Sequence, residues 1–125
     1  MEKEFVPYEE ALSLKELGFD EPCFAVYFNT TQQLYFDKYI NEFTKDVRTL
    51  APIFSQAFRW FREKHSLHSN VKCINTTYNN HFRFEIESNS ETLYCRNLFD
   101  THEEAELACL RKLIEIVKQG GNNES

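Results

Sequence analysis

The chain has 125 residues, a hydrophobic fraction of 42% and a net charge of −6. That is one domain's worth of sequence, with twelve phenylalanines to help build a core without disulfide or metal staples. Its apolar runs are only a few residues long, which excludes a membrane-spanning helix, and its three glycines (Gly18, Gly120 and Gly121) are too few for the common phosphate-cradling loops.

The opening MEKEFVPYEE is acidic and has no apolar centre, so no export signal is expected. The chain is read as cytoplasmic, with Cys23, Cys73, Cys95 and Cys109 all reduced and free of any C-x-x-C spacing. The first helix is expected over residues 7–17. Pro7 suits the first helical position and Gly18 the left-handed stop. Ala11, Leu14 and Leu17 form its inner stripe, and Phe19 is placed to fold back on Leu14 or Leu17.

Period-two segments at 23–28 and 33–36 flank the polar turn 29–32 and predict a hairpin. Residues 37–51 carry weak signals and are read as irregular. A second helix is expected over 52–64, with Ile53, Phe54, Ala57, Phe58 and Phe61 inward, Gln56, Arg59, Arg62 and Glu63 outward, and Trp60 at the seam. Strands at 71–78 and 82–87 flank Asn79-Asn80, whose residues tolerate positive φ. Phe82, Phe84 and Ile86 point to one face, and Arg83, Glu85 and Glu87 to the other. A further strand is expected at 92–98.

The last helix, 101–118, is the best-marked element. Thr101 and Glu104 form a T-x-x-E capping box. Glu103, Glu104 and Glu106 sit at the positive end of the helix dipole. Ala105, Ala108, Cys109, Leu113, Ile116 and Val117 form the apolar face, and Gly120-Gly121 are expected to stop the helix. The predicted fold is therefore α+β, an antiparallel sheet with helices packed on one face in the order α-β-β-α-β-β-β-α. Residues 1–119 form a single domain, and 120–125 (GGNNES) a disordered tail.

Few residues point to chemistry. His65 and His68 stand three apart, but no third metal ligand lies near them in sequence. His102-Glu103-Glu104-Ala105-Glu106 has a glutamate where a zinc-protease helix needs its second histidine, and no nucleophile elbow is present. No catalytic, cofactor-binding or metal-binding residue is assigned, and the chain is read as a non-enzyme.

The charge is uneven. Residues 1–42 carry 3 basic and 9 acidic groups, residues 43–85 carry 7 and 3, and residues 86–125 carry 4 and 8. An acidic shell around a basic middle is unlike a general nucleic-acid binder. The mixed run Arg59, Trp60, Phe61, Arg62, Glu63, Lys64 has the aromatic and arginine content of protein interfaces. Tyr35 and Tyr39 crowd a second such region. Arg59, Trp60, Arg62, Lys64, Tyr35 and Tyr39 are the candidate partner-binding residues.

Two resemblances bear on this reading. The α-β-β-β-α order over residues 52–117 resembles the double-stranded-RNA-binding domain in topology. That family places phosphate-binding lysines where this chain has Thr101-His102-Glu103-Glu104-Ala105-Glu106, so the resemblance implies a shape and no binding residues. The phrases FVPYEEALSLKELGFDEPC (5–23), FSQAFRWFREK (54–64) and EEAELACLRKLIEIVK (103–118) resemble a group of small uncharacterised proteins from gut Bacteroidetes and their phages. This implies a cytosolic protein of an infected or lysogenic bacterium and no mechanism. The expected role is a non-catalytic accessory or regulatory protein, phage- or prophage-encoded, that binds an unidentified protein partner, with self-association open to it. No cofactor or membrane is expected. The alternative is a nucleic-acid-binding module using the basic segment 48–83.

Overall fold

The computed structural model describes residues 4–36, 47–75, 80–88, 91–94 and 97–123. The fold is α+β, with the order α1 (Tyr8–Glu16), β1 (Ala25–Phe28), β2 (Leu34–Tyr35), β3 (Arg48–Ala51), α2 (Phe54–His65), β4 (His68–Asn75), β5 (Asn80–Glu87), β6 (Thr92–Tyr94) and α3 (His102–Asn123). The strands form two three-stranded antiparallel sheets where one was expected, in the orders β2-β1-β3 and β4-β5-β6. By contact density the chain divides into two compact units, Met1–Ala57 and Phe58–Ser125, and the division falls within α2. No described helix is long and apolar enough to cross a membrane.

In the first unit, α1 begins one residue later than expected, with Pro7 at the N-cap. Glu9 and Glu10 lie in its first turn and Lys15 in its last, each at the favourable end of the dipole. The helix stops as its sequence dictates. Gly18 has φ +101°, its N–H reaches the Lys15 carbonyl at 3.0 Å, and the Phe19 N–H reaches Leu14 at 2.9 Å. These are the two bonds of a Schellman motif, and the accompanying apolar pair, Phe19 and Leu14, is buried.

The hairpin at 25–35 forms with Val26 opposite Tyr35 and Tyr27 opposite Leu34. Gln32, at φ 58°, makes its turn, and its N–H bonds to Phe28 at 2.7 Å. β1 is the central strand because β3 pairs with its other edge, from Ala25–Ala51 to Phe28–Arg48. β3 corrects the irregular reading over 48–51, while residues 37–46 of that segment lie outside the described residues. Its inward residues are Thr49 and Ala51, both at 0% exposure, while Arg48 and Leu50 are half-buried. A threonine and an alanine carry little apolar signal, so the period of two was invisible. Thr49 is tolerated inside because its hydroxyl donates to Asn29 Oδ1 at 2.6 Å. The buried Tyr27 hydroxyl likewise donates to the Val6 carbonyl at 2.7 Å.

In the second unit, β4 and β5 pair continuously from His68–Glu87 to Asn75–Asn80. β4 therefore begins three residues before the expected start. The turn expected at Asn79-Asn80 is partly outside the described residues; Asn80 itself opens β5. Phe84 and Ile86 are buried on one face, as the alternation predicts. Glu85, on the other face with Arg83 and Glu87, is buried as well. Its carboxylate is ion-paired with Lys72 at 3.2 Å. β6 ends at Tyr94, and Phe99 then forms an isolated bridge with Phe82.

α3 packs on β4 and β5. The Thr101 hydroxyl accepts the Glu104 N–H at 3.1 Å, the half of the capping box that stabilises a helix start by about 1 kcal/mol. Ala105, Cys109, Leu110, Leu113 and Ile114 are buried along its inner face. The expected stripe is thus rotated: Leu110 and Ile114 are buried, while Ala108, Ile116 and Val117 lie at the margin. Each full-sized side chain buried gains about 1.5–3 kcal/mol. The helix runs through Gly120 to Asn123, past the stop expected there and into the segment read as a disordered tail. Only Gly18 among the described glycines has positive φ. Glycine permits a left-handed stop but does not impose one, and in a helix it costs only about 1 kcal/mol relative to alanine.

Candidate functional site

The six residues proposed for partner binding do not stand together in one setting. Arg59, Arg62 and Lys64 are exposed on the outer side of α2. Trp60 is not available with them. It is 4% exposed, with its ring edge-on to Phe61 and to His65, each at 5.0 Å between centroids. Trp60 stands three residues after the fully buried Ala57, which carries its large ring to the inner side of the helix. Tyr35 is half-buried, edge-on to Phe28 at 4.7 Å, with its hydroxyl donating to Gln33 Oε1 at 3.1 Å. Tyr39 lies outside the described residues.

Among the described residues, the most exposed large apolar side chain is one that the sequence did not mark. Phe24 is 75% exposed immediately before β1, followed by Leu98 at 51%, Phe36 at 47% and Val47 at 45%. Strict alternation would have put Phe24 on the same face as Val26, which is buried. Pairing begins only at Ala25, so Phe24 lies outside the ladder that would have enclosed it. No local signal distinguishes it from the eleven other phenylalanines.

The first unit contains a recess of about 300 Å³ lined by Ala11, Lys15, Gly18, Phe19, Asp20, Arg48 and Leu50. Lys15 Nζ donates to the Arg48 carbonyl at 2.9 Å, which ties α1 to β3 at its rim. The lining has an apolar floor and charged edges but no hydroxyl, thiol or imidazole. It can accommodate a side chain, and its ionisable groups are Lys15, Asp20 and Arg48. The second unit has a recess of about 220 Å³ formed by Leu67, Ile86, Ser88, Glu91, Leu93, Lys112 and Ile116.

Lys72 is directly opposite Arg83 in the β4–β5 ladder, but its ammonium is engaged by Glu85. Arg48 is half-buried at the recess of the first unit.

Cys23, Cys73 and Cys109 are reduced thiols, and Cys95 lies outside the described residues. Cys109 is fully buried, as expected. Burial, reinforced by the Glu21 carboxylate, pushes the Cys23 thiol up to about 12, so it stays protonated and inert. Cys73 is exposed on β4. His65 is half-buried at the end of α2 and its pKa is lowered from the ordinary histidine value by that burial, while His68 is exposed on β4. Among the described residues no three His, Cys, Asp or Glu side chains come together to hold a metal ion. No family model, curated protein or solved structure matches the chain.

Proposed function

We propose that this chain is a non-catalytic accessory or regulatory module that acts by binding another protein in a bacterial cytoplasm, in keeping with its resemblance to proteins of gut Bacteroidetes and their phages. One observation carries the reading: Phe24, a full aromatic ring 75% exposed beside a formed sheet. A ring so placed loses apolar burial worth roughly 2 kcal/mol, which a partner surface would restore. Separately, α2 exposes Arg59 and Arg62, of the residue type enriched at interfaces.

Affinity capture from host cells, comparing the parent chain with Phe24→Ser, tests it. The expected result is a stoichiometric protein partner held by the parent and lost by the variant, with unchanged circular dichroism. The same partner set on both chains refutes the role of Phe24. The nucleic-acid alternative over 48–83 is disfavoured because Lys72 is already neutralised by Glu85. It gains the upper hand if the parent binds RNA or DNA with an affinity that falls steeply with salt, and if Arg59→Gln/Arg62→Gln abolishes that binding.

A further inference from the structure

β4 is an edge strand. It pairs with β5 on one side, and among the described residues no strand lies on the other. At eight residues it is about 26 Å long, enough to template another strand.

The direction of its free backbone groups follows from the rest of the sheet. Phe82 donates its N–H to the Phe99 carbonyl at 2.9 Å and accepts the Phe99 N–H at 2.7 Å. Both of its backbone groups therefore point away from β4, so Phe82 and its opposite residue Cys73 are a non-hydrogen-bonded pair. The pattern alternates along an antiparallel ladder. Val71, opposite Phe84, and Ser69, opposite Ile86, thus turn their N–H and C=O outward, and no backbone bond among the described residues uses them. Ser88 donating to Glu91 at 2.9 Å, on the β6 side, fits the same alternation.

Natural edges are commonly blunted by proline, bulges or unpaired lysines. β4 has no proline, and its register with β5 runs without a bulge. Its single lysine, Lys72, is held by Glu85 at 3.2 Å. We infer that β4 pairs antiparallel with β4 of a second copy of this chain, joining two three-stranded sheets into one of six strands. This rests on, and deepens, the protein-binding reading.

The edge is self-complementary about Val71. A two-fold axis there sets Val71 against Val71 of the second copy, exchanging two N–H to C=O bonds between outward-turned residues. Ser69 then faces Cys73 of the second copy, and Lys72 faces Asn70. Each facing pair lies on one face of the joined sheet, because the paired positions have the same parity. Shifting the axis to Lys72 would oppose two ammonium groups across the seam, and shifting it to Asn70 would shorten the overlap.

Sedimentation equilibrium on the full chain, together with two variants, tests the inference. Asn70 is exposed and directly opposite Glu85 within its own chain, so Asn70→Lys preserves the fold. It sets two lysine–lysine oppositions across the seam, and the dimer dissociation constant should rise about tenfold. Ser69→Cys should form a disulfide to Cys73 of the second copy on mild oxidation, identified by peptide mapping, since facing Cα atoms lie within disulfide reach. A chain that stays monomeric up to about 1 mM, or a dimer that ignores Asn70→Lys and does not cross-link position 69 to Cys73, overturns the inference. If such a monomer still loses a captured partner on Phe24→Ser, the dimer alone has failed. If a β4-linked dimer forms but no partner depends on Phe24, the Phe24 surface alone has failed.

Discussion

Replacing Gly18 by alanine isolates the energetic cost of a backbone conformation. Gly18 has φ +101°, and a Cβ built there meets no atom within 4 Å. Nothing clashes, and no packed side chain must move. The cost is that of holding an L-residue in a conformation it rarely adopts, about 1–2 kcal/mol. Loss of the motif would also release the Gly18–Lys15 and Phe19–Leu14 bonds and expose Phe19, so the turn should hold and the cost should stay near that range. Gly120 provides the opposite case. It too has no atom within 4 Å of an added Cβ, but it lies inside α3 without positive φ. Gly120→Ala should therefore stabilise, by up to about 1 kcal/mol and less if the helix end frays. Urea unfolding followed by circular dichroism and by the single tryptophan, Trp60, measures both. A Gly18→Ala cost below about 0.3 kcal/mol would refute the Schellman account. Destabilisation by Gly120→Ala would show that α3 stops at the glycines after all.

Three further outcomes follow from particular residues. Ser66 ends α2 at φ 54° without being glycine, so Ser66→Gly should stabilise by roughly 0.5–1 kcal/mol in the same unfolding experiment. His65 is held below its ordinary pKa by burial, so its contribution to stability is complete above the unfolded value of about 6.5 and is lost as pH falls through the lower folded value. A pH titration of Trp60 fluorescence should show a transition centred below 6.5, because the two rings are 5.0 Å apart, and His65→Gln should remove it. With a maleimide at pH 8, peptide mapping should find Cys73 modified well before Cys23 or Cys109, because the first is exposed and the other two are buried; equal rates would contradict the burial of the latter pair.

Where a few neighbouring residues decide the outcome, the sequence alone was sufficient. The Gly18-Phe19 stop, the Thr101 cap and the 25–35 hairpin depend on φ preferences, a hydroxyl within reach of an N–H, and alternation, all of which act over five or six residues. The α+β class follows from the same local periods. The tertiary structure decided what those periods leave open. β3 was hidden because its inward residues, Thr49 and Ala51, are acceptable inside only when Asn29 and β1 are already in place. Trp60 turned inward, and Leu110 displaced Ile116 from the core, because a helix's rotation is set by the surface it meets. Glu85 could be buried because Lys72, thirteen residues away, supplies a charge at 3.2 Å. Phe24 remained exposed because the ladder begins one residue too late to enclose it. The edge of β4 that no described strand occupies is of the same kind: a strand's pattern shows that it pairs, while whether both its edges are taken depends on how many other strands the fold places beside it.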